Sequence, residues 1–127
     1  MATDPATCFI RETDVPAYQP KGHSGTTNRR LVGRENVGAE HLEVVLGTIE
    51  PGQGATPHLH PGIEQVCYIL SGTAVASVEA VERRLEAGDT VFFPAGTEHR
   101  FEVVGDEPVR VLVVYSPPYA EGARVER

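Results

Sequence analysis

The chain has 127 residues, enough for one hydrophobic core and too few for two independently folded catalytic domains. Thirteen glycines and ten prolines cut it into short segments, and a hydrophobic content of 40% excludes a disordered chain and disfavours a long helical bundle. Eleven basic against eighteen acidic residues leave a net charge of −7, which argues against nucleic acid and anionic membranes as partners, because both reward a basic surface.

Residues 1–28 are polar and interrupted by Pro5, Pro16 and Pro20, with Gly22 and Gly25 following, so they read as an arm with at most one short strand around Cys8–Ile10. Asp4 and Pro5 stand where a secretory leader needs basic residues and an apolar run, and no apolar stretch approaches 18 residues. A soluble cytoplasmic protein is expected. Cys8 and Cys67 form no CxxC pair and are expected as free thiols. Beyond the arm, Leu42–Ile49 mixes β-branched residues with near-alternating polarity and stops at Glu50-Pro-Gly, which predicts a strand and then a turn. Glu64–Leu70 and Thr73–Val78, separated by Ser71-Gly72, predict a hairpin. The stretch 79–87 suits a helical turn by propensity and a strand by alternation. Thr90–Phe93, His99–Val104 and Val109–Tyr115 complete a series of short strands, the pattern of an all-β barrel or sandwich.

Five histidines occur, and two of them stand in Pro57-His58-Leu59-His60-Pro61. On an extended backbone, residues two apart point to one face about 6.5 Å from each other, so both imidazoles can reach one metal ion. On His-x-His alone, a proline-bounded surface turn competes with that reading. Further residues resemble the two motifs of the cupin family. The first is matched by Gly52, His58, His60, an acidic or amide position and Gly72; the second is matched by Gly88, Pro94, Gly96 and His99, with Val103 where Asn is usual.

This resemblance implies an all-β cupin barrel, a double-stranded β-helix of jelly-roll type, over residues 36–118. An N-terminal arm, 1–35, would pack on the barrel or on a partner subunit, and a loose tail would follow at 119–127. It also implies a strand at 81–86 and a likeness to small single-domain members. A homodimer is expected through the arm, since an open sheet edge needs covering.

The resemblance further implies one divalent transition metal per chain, with Zn, Fe, Mn, Ni and Cu all compatible with the donors. The ligands would be His58, His60, His99 and one of two neighbours. Three residues after His60 stands Glu64, and four after it stands Gln65. Adjacent strand residues face opposite ways, and with Gly72 fixing the hairpin register Gln65 falls inward beside Cys67 and Ile69. Glu64 is the alternative, reached if Pro61-Gly62 bulges. An amide donor leaves the ion's charge unneutralised, which favours Lewis acidity over redox cycling.

Cys67 is expected to line the cavity as a core residue. Glu64, Glu98 and His23 are the candidates for proton transfer, His23 only if the arm folds over the barrel mouth. His41 is expected at the surface, while Arg29, Arg30 and Arg34 could hold a carboxylate or pair with surface glutamates. The expected function is a metal-dependent enzyme acting on a small oxygen-rich or carboxylated molecule by dioxygenase, decarboxylase, lyase or isomerase-type chemistry. The alternative is a non-catalytic small-ligand sensor whose metal is structural or anchors the ligand.

Overall fold

A computed structural model of the protein describes residues 4–21, 23–119 and 125–126. The strands in chain order are β1 (Ala17–Tyr18), β2 (Thr26–Val32), β3 (Glu43–Ile49), β4 (Gly54–Leu59), β5 (Glu64–Ser71), β6 (Thr73–Val78), β7 (Val81–Leu85), β8 (Thr90–Phe93), β9 (His99–Val104), β10 (Val109–Ser116) and β11 (Val125–Glu126), with a one-turn helix α1 (Arg34–Val37) after β2. They form two antiparallel sheets, ordered β1-β2-β3-β10-β5-β8 and β11-β4-β9-β6-β7. Alternation explains the arrangement. Along β5 the even positions Glu64, Tyr68 and Leu70 are exposed while Gln65, Cys67 and Ile69 are buried, so one face of the strand serves the core. Val45, Ile69, Phe93 and Val109 from one sheet meet Ala74 and Val103 from the other, each at most 1% exposed. Each fully buried Val, Ile or Phe stabilises by about 1.5–3 kcal/mol, and such a core tolerates a few buried polar groups at one end.

Two expectations are corrected. Glu64–Leu70 and Thr73–Val78 are both strands, but they do not form a hairpin: β5 pairs with β8 and β10, whereas β6 pairs with β7 and β9. The chain changes sheets at Gly72, which has φ +87° and lies so close to the β10 entry that a Cβ would sit 2.5 Å from the Pro108 carbonyl oxygen. Where the sequence allowed at most one short strand, around Cys8–Ile10, the chain forms a 3₁₀ turn, Pro5–Cys8, started by Pro5 and capped by Asp4, whose side chain accepts from the Ala6 N–H at 3.0 Å. Phe9 beyond it is 85% exposed and belongs to no strand. The sheet begins within the stretch expected as an arm, since β2 pairs with β3 along most of its length and β1 pairs with β2. Polar residues on both faces of Thr26–Val32 hid this strand from a search for alternation.

The tail expected to be loose over 119–127 is described only at Tyr119 and at Val125–Glu126, and the latter pair joins β4 in antiparallel register. The strand implied at 81–86 is β7. Cys8 and Cys67 are free thiols, Cys8 exposed and Cys67 buried. Among the described residues no helix is long and apolar enough to cross a membrane.

Candidate metal centre

Strand β4 delivers His58 near its end and His60 just past it, and β9 opens with His99 directly opposite His58 in the sheet register. All three are 3% exposed. The ring of His58 lies 4.8 Å from that of His60 and 4.4 Å from that of His99, centroid to centroid. One ligating atom from each of the three falls within 4.8 Å of the others, a spacing that could hold a metal ion. Two backbone contacts fix His60 at the strand exit: its carbonyl accepts from Ile63 N at 3.3 Å and from Gly96 N at 3.0 Å. The turn Pro61-Gly62 and the loop Pro94–Gly96 are therefore tied to one residue of the cluster.

The orientation of His99 follows from chemistry. Its Nδ1 lies 3.2 Å from the Thr97 carbonyl, which only accepts, so Nδ1 carries the proton and Nε2 keeps its lone pair. On the adjoining sheet, Gln65 is 8% exposed, and its Nε2 donates to Cys67 Sγ at 3.4 Å. This leaves Oε1 for the site. Among the described residues, the buried atoms His60 Nδ1, Gln65 Oε1 and His99 Nε2 make no hydrogen bond. An unsatisfied buried acceptor costs about 1–3 kcal/mol, and a cation is a partner that suits three imidazoles whose ligating atoms lie within 4.8 Å of one another. The residues present thus fit a divalent ion on neutral nitrogen donors, with a neutral amide oxygen within the same pocket.

A cavity of about 50 Å³ adjoins the cluster, and His23, Thr26, Asn28, Cys67 and Tyr115 stand among its walls. One water-sized site needs roughly 10–15 Å³ by this measure, so the space suits a hydrated ion or a pair of ligand oxygens. His23 is one of the cavity wall residues. It is half-buried, and its ring lies 5.7 Å from that of His58. Cys67 faces the cavity, and burial pushes its thiol up to about 12, against the smaller opposing effect of the Gln65 amide, so it stays protonated. Glu64 is exposed on the opposite face of β5, opposite Ser116. Glu98 is half-buried in the turn before β9 and is not among the cavity walls. His41 is exposed.

Three residues near the centre escaped the sequence reading. Tyr115 lines the cavity, and burial holds its phenol well above the ordinary value, with Cys67, Tyr119, Tyr18 and Glu43 adding to the effect. Parity along β10 would have found it, because Val109, Val111 and Val113 face inward and Tyr115 is next in that row. Asn28, from β2, was hidden with its strand. Glu43 is only 2% exposed and pairs with Arg30 Nε at 2.6 Å, while its other oxygen accepts the Tyr119 N–H at 2.7 Å. That contact carries the Tyr119 ring to within 4.9 Å of the His60 ring. Arg30 also meets Glu35 at 3.0 Å, and Arg29 donates to the carbonyls of Glu12 and Val15, so these arginines serve the fold. Arg34 is exposed in α1.

The Cupin domain family model matches residues 45–115. The chain belongs to the cupin family. Tetracenomycin polyketide synthase protein TcmJ of Streptomyces glaucescens is 36% identical to it over 105 residues, spanning 81% of this chain and 69% of that protein. Polyketide synthase CurC of Streptomyces cyaneus is 30% identical over 107 residues, spanning 84% and 70%. The structure of the polyketide cyclase RemF from Streptomyces resistomycificus superposes with a TM-score of 0.73 at 26% identity, covering 87% of this chain and 81% of that one. In this cupin Val103, where the second motif usually has Asn, is 1% exposed and belongs to the apolar core rather than to the cavity walls.

Proposed function

We propose that this cupin is a metal-dependent enzyme that cyclises or isomerises a small polycarbonyl molecule of the polyketide type. The observation that carries the reading is the buried cluster of His58, His60 and His99 beside a small cavity that has no carboxylate among its described wall residues. The likeness to TcmJ, CurC and RemF supports the substrate class. His58, His60, His99 and Gln65 would hold a divalent ion, which when bound supplies Lewis-acid polarisation of a carbonyl oxygen.

The chain's own groups account for the rest. A ring nitrogen of His23, in the cavity wall, accepts a proton from the carbon between two carbonyls. That carbon then forms a bond to a second carbonyl carbon, and the carbonyl oxygen takes up a proton to become a hydroxyl. That bond closes the ring, and loss of the hydroxyl with a neighbouring α-hydrogen, as water, gives the conjugated product, so electrons balance without an oxidant. Tyr115, held protonated by burial, donates to the oxygen on which negative charge develops. Phe93, Phe101 and Val111 line the space of about 50 Å³ beside the cluster, which admits the dicarbonyl edge of such a substrate and leaves its body outside.

Metal analysis of the purified protein combined with turnover of synthetic triketides, followed by absorbance and chromatography, tests this. About one divalent ion per chain is expected. His58→Ala with His60→Ala should remove it while circular dichroism stays that of a folded barrel, and His23→Ala should lower kcat by about 10²–10⁴-fold with metal retained. Metal without turnover of any polycarbonyl would make the protein a ligand-binding module. Stoichiometric oxygen uptake would make it a dioxygenase.

A further inference from the structure

The cavity has a wall whose construction the metal reading leaves unexplained. Gly47 stands in the middle of β3, buried, with an ordinary strand backbone, so neither a turn nor a left-handed conformation requires glycine there. Glycine inside a strand weakens it and often marks a place where another group comes close. In the sheet, Gly47 is flanked by Asn28 of β2 on one side and Val111 of β10 on the other. A Cβ at position 47 would lie 2.9 Å from Asn28 Oδ1 and 3.3 Å from Val111 Cγ1. The space a side chain would fill is thus taken by the Asn28 carboxamide, which lines the same cavity as His58, Gln65 and His99.

Two of the polar groups nearby are already engaged within the chain. Thr26 Oγ1 donates to the Ser24 carbonyl at 3.1 Å, and the Gln65 amide nitrogen donates to Cys67. Among the described residues the Asn28 amide makes no hydrogen bond. A half-buried carboxamide at a cavity, with two donors and an acceptor uncommitted and a strand glycine making room for it, is suited to a ligand.

We propose that Asn28 is the group that orients the ligand in the cavity, and that Gly47 is glycine in order to seat it. The carboxamide pairs with a ligand edge that carries a carbonyl beside a hydroxyl or enol, donating to the first and accepting from the second. This rests on the reading that the cavity binds an oxygenated substrate. Asn28 is a specificity-determining residue under this proposal, and no proton is transferred through it.

The test uses the metal-loaded full chain and benzoylacetone, an enolised 1,3-dicarbonyl, with binding read by difference absorbance. Asn28→Leu, which keeps the bulk and removes the hydrogen bonds, should weaken binding about five- to tenfold, with metal content and thermal midpoint unchanged. Asn28→Ser serves as the second variant if Asn28→Leu misfolds, with the same direction expected. Gly47→Ala should reproduce the loss by displacing the amide, and adding it to Asn28→Ala should cause no further loss. Wild-type affinity in folded, metal-replete Asn28→Leu overturns the proposal, as do losses from Asn28→Ala and Gly47→Ala that multiply. Should the wild-type protein bind neither benzoylacetone, catechol nor oxalate, the proposed function falls and this inference falls with it.

Discussion

Phe93 lies flat against His99, with ring centroids 4.0 Å apart and planes 9° from parallel. The Thr97 carbonyl holds the same imidazole at Nδ1, so its rotation is limited from the face and from the edge. Phe93 is also the register partner of Gln65, which places the stacking residue and the amide side by side in one sheet. Groups that orient a metal ligand this way typically change metal affinity 10–100-fold when removed. Phe93→Leu, which keeps an apolar side chain but removes the stack, should weaken divalent metal binding about tenfold in a chelator competition. Its cost in urea unfolding should stay near 1–2 kcal/mol. A stability loss with unchanged affinity would reduce Phe93 to a packing residue.

Gly72 carries the topology. Its φ of +87° and the 2.5 Å approach of a Cβ to the Pro108 carbonyl oppose any side chain, whereas Gly62, at φ +71°, has open space around it. Gly72→Ala therefore combines left-handed strain of about 1–2 kcal/mol with an overpacking cost of about 1–3 kcal/mol, while Gly62→Ala carries the strain alone. Denaturation of the two variants should show the first losing about 1–3 kcal/mol more stability than the second.

This glycine also shows where the sequence stopped being informative. Strands such as Glu43–Ile49 and Val109–Ser116 are legible because one face of each is apolar, and the cluster of His58, His60 and His99 is legible because two spaced motifs frame it. A single residue between β5 and β6 reads equally well as a hairpin turn or a corner between sheets. Only the proximity of Pro108, 36 positions away in the chain, separates the two. Thr26–Val32 failed for a different reason. Its inward residues, Thr26 and Asn28, are polar because they face a cavity, so the strand lacks the alternation that marks the others.

The Glu43–Arg30 pair has no such signature, and its worth depends on geometry. The Glu43 side chain is 3% exposed while that of Arg30 is 30% exposed, and Arg30 keeps Glu35 as a second partner. Glu43→Ala thus leaves a cation with some water and one remaining carboxylate, and it also leaves the Tyr119 N–H without its acceptor. A loss of about 2–3 kcal/mol is expected, below the roughly 3–5 kcal/mol of a wholly buried pair. Glu35→Ala, at the exposed end, should cost under about 0.5 kcal/mol. Urea unfolding of both variants checks the ratio.

Cys67 provides a pH test of the cavity. In the unfolded chain its thiol ionises near 9.0, and in the folded chain burial raises this to about 12. A raised folded value means that the neutral form stabilises the native state, so this contribution is complete below pH 9 and is lost progressively as pH rises toward 12. Tyr115 is shifted the same way and adds to the effect. At pH 8 a thiol reagent should modify Cys8 rapidly and Cys67 only after denaturant is added. Rapid native labelling of two thiols per chain would mean that the cavity is open to solvent.

The division of labour between Gln65 and Glu64 decides what kind of metal chemistry the cluster can support. Gln65 is turned into the core with its Oε1 lacking a hydrogen-bond partner, and Glu64 is exposed on the outer face of β5. The register behind this comes from β8 and β10, where Gln65 pairs with Phe93 and Tyr115, and owes nothing to a hairpin at Gly72. Because two strands fix it, a one-residue slip would turn Cys67 and Ile69 outward as well. Gln65→Ala should therefore weaken metal binding about tenfold, and Glu64→Ala should leave it within twofold, in the same chelator competition. Gln65→Glu should tighten binding, since a carboxylate beside the ion neutralises part of its charge. It should also lower the ion's Lewis acidity and with it the turnover of a polycarbonyl substrate, so affinity and rate should move in opposite directions. A larger loss of affinity in Glu64→Ala than in Gln65→Ala would place the carboxylate inside, make the donor set three histidines and an anion, and shift the chemistry toward redox reactions with oxygen.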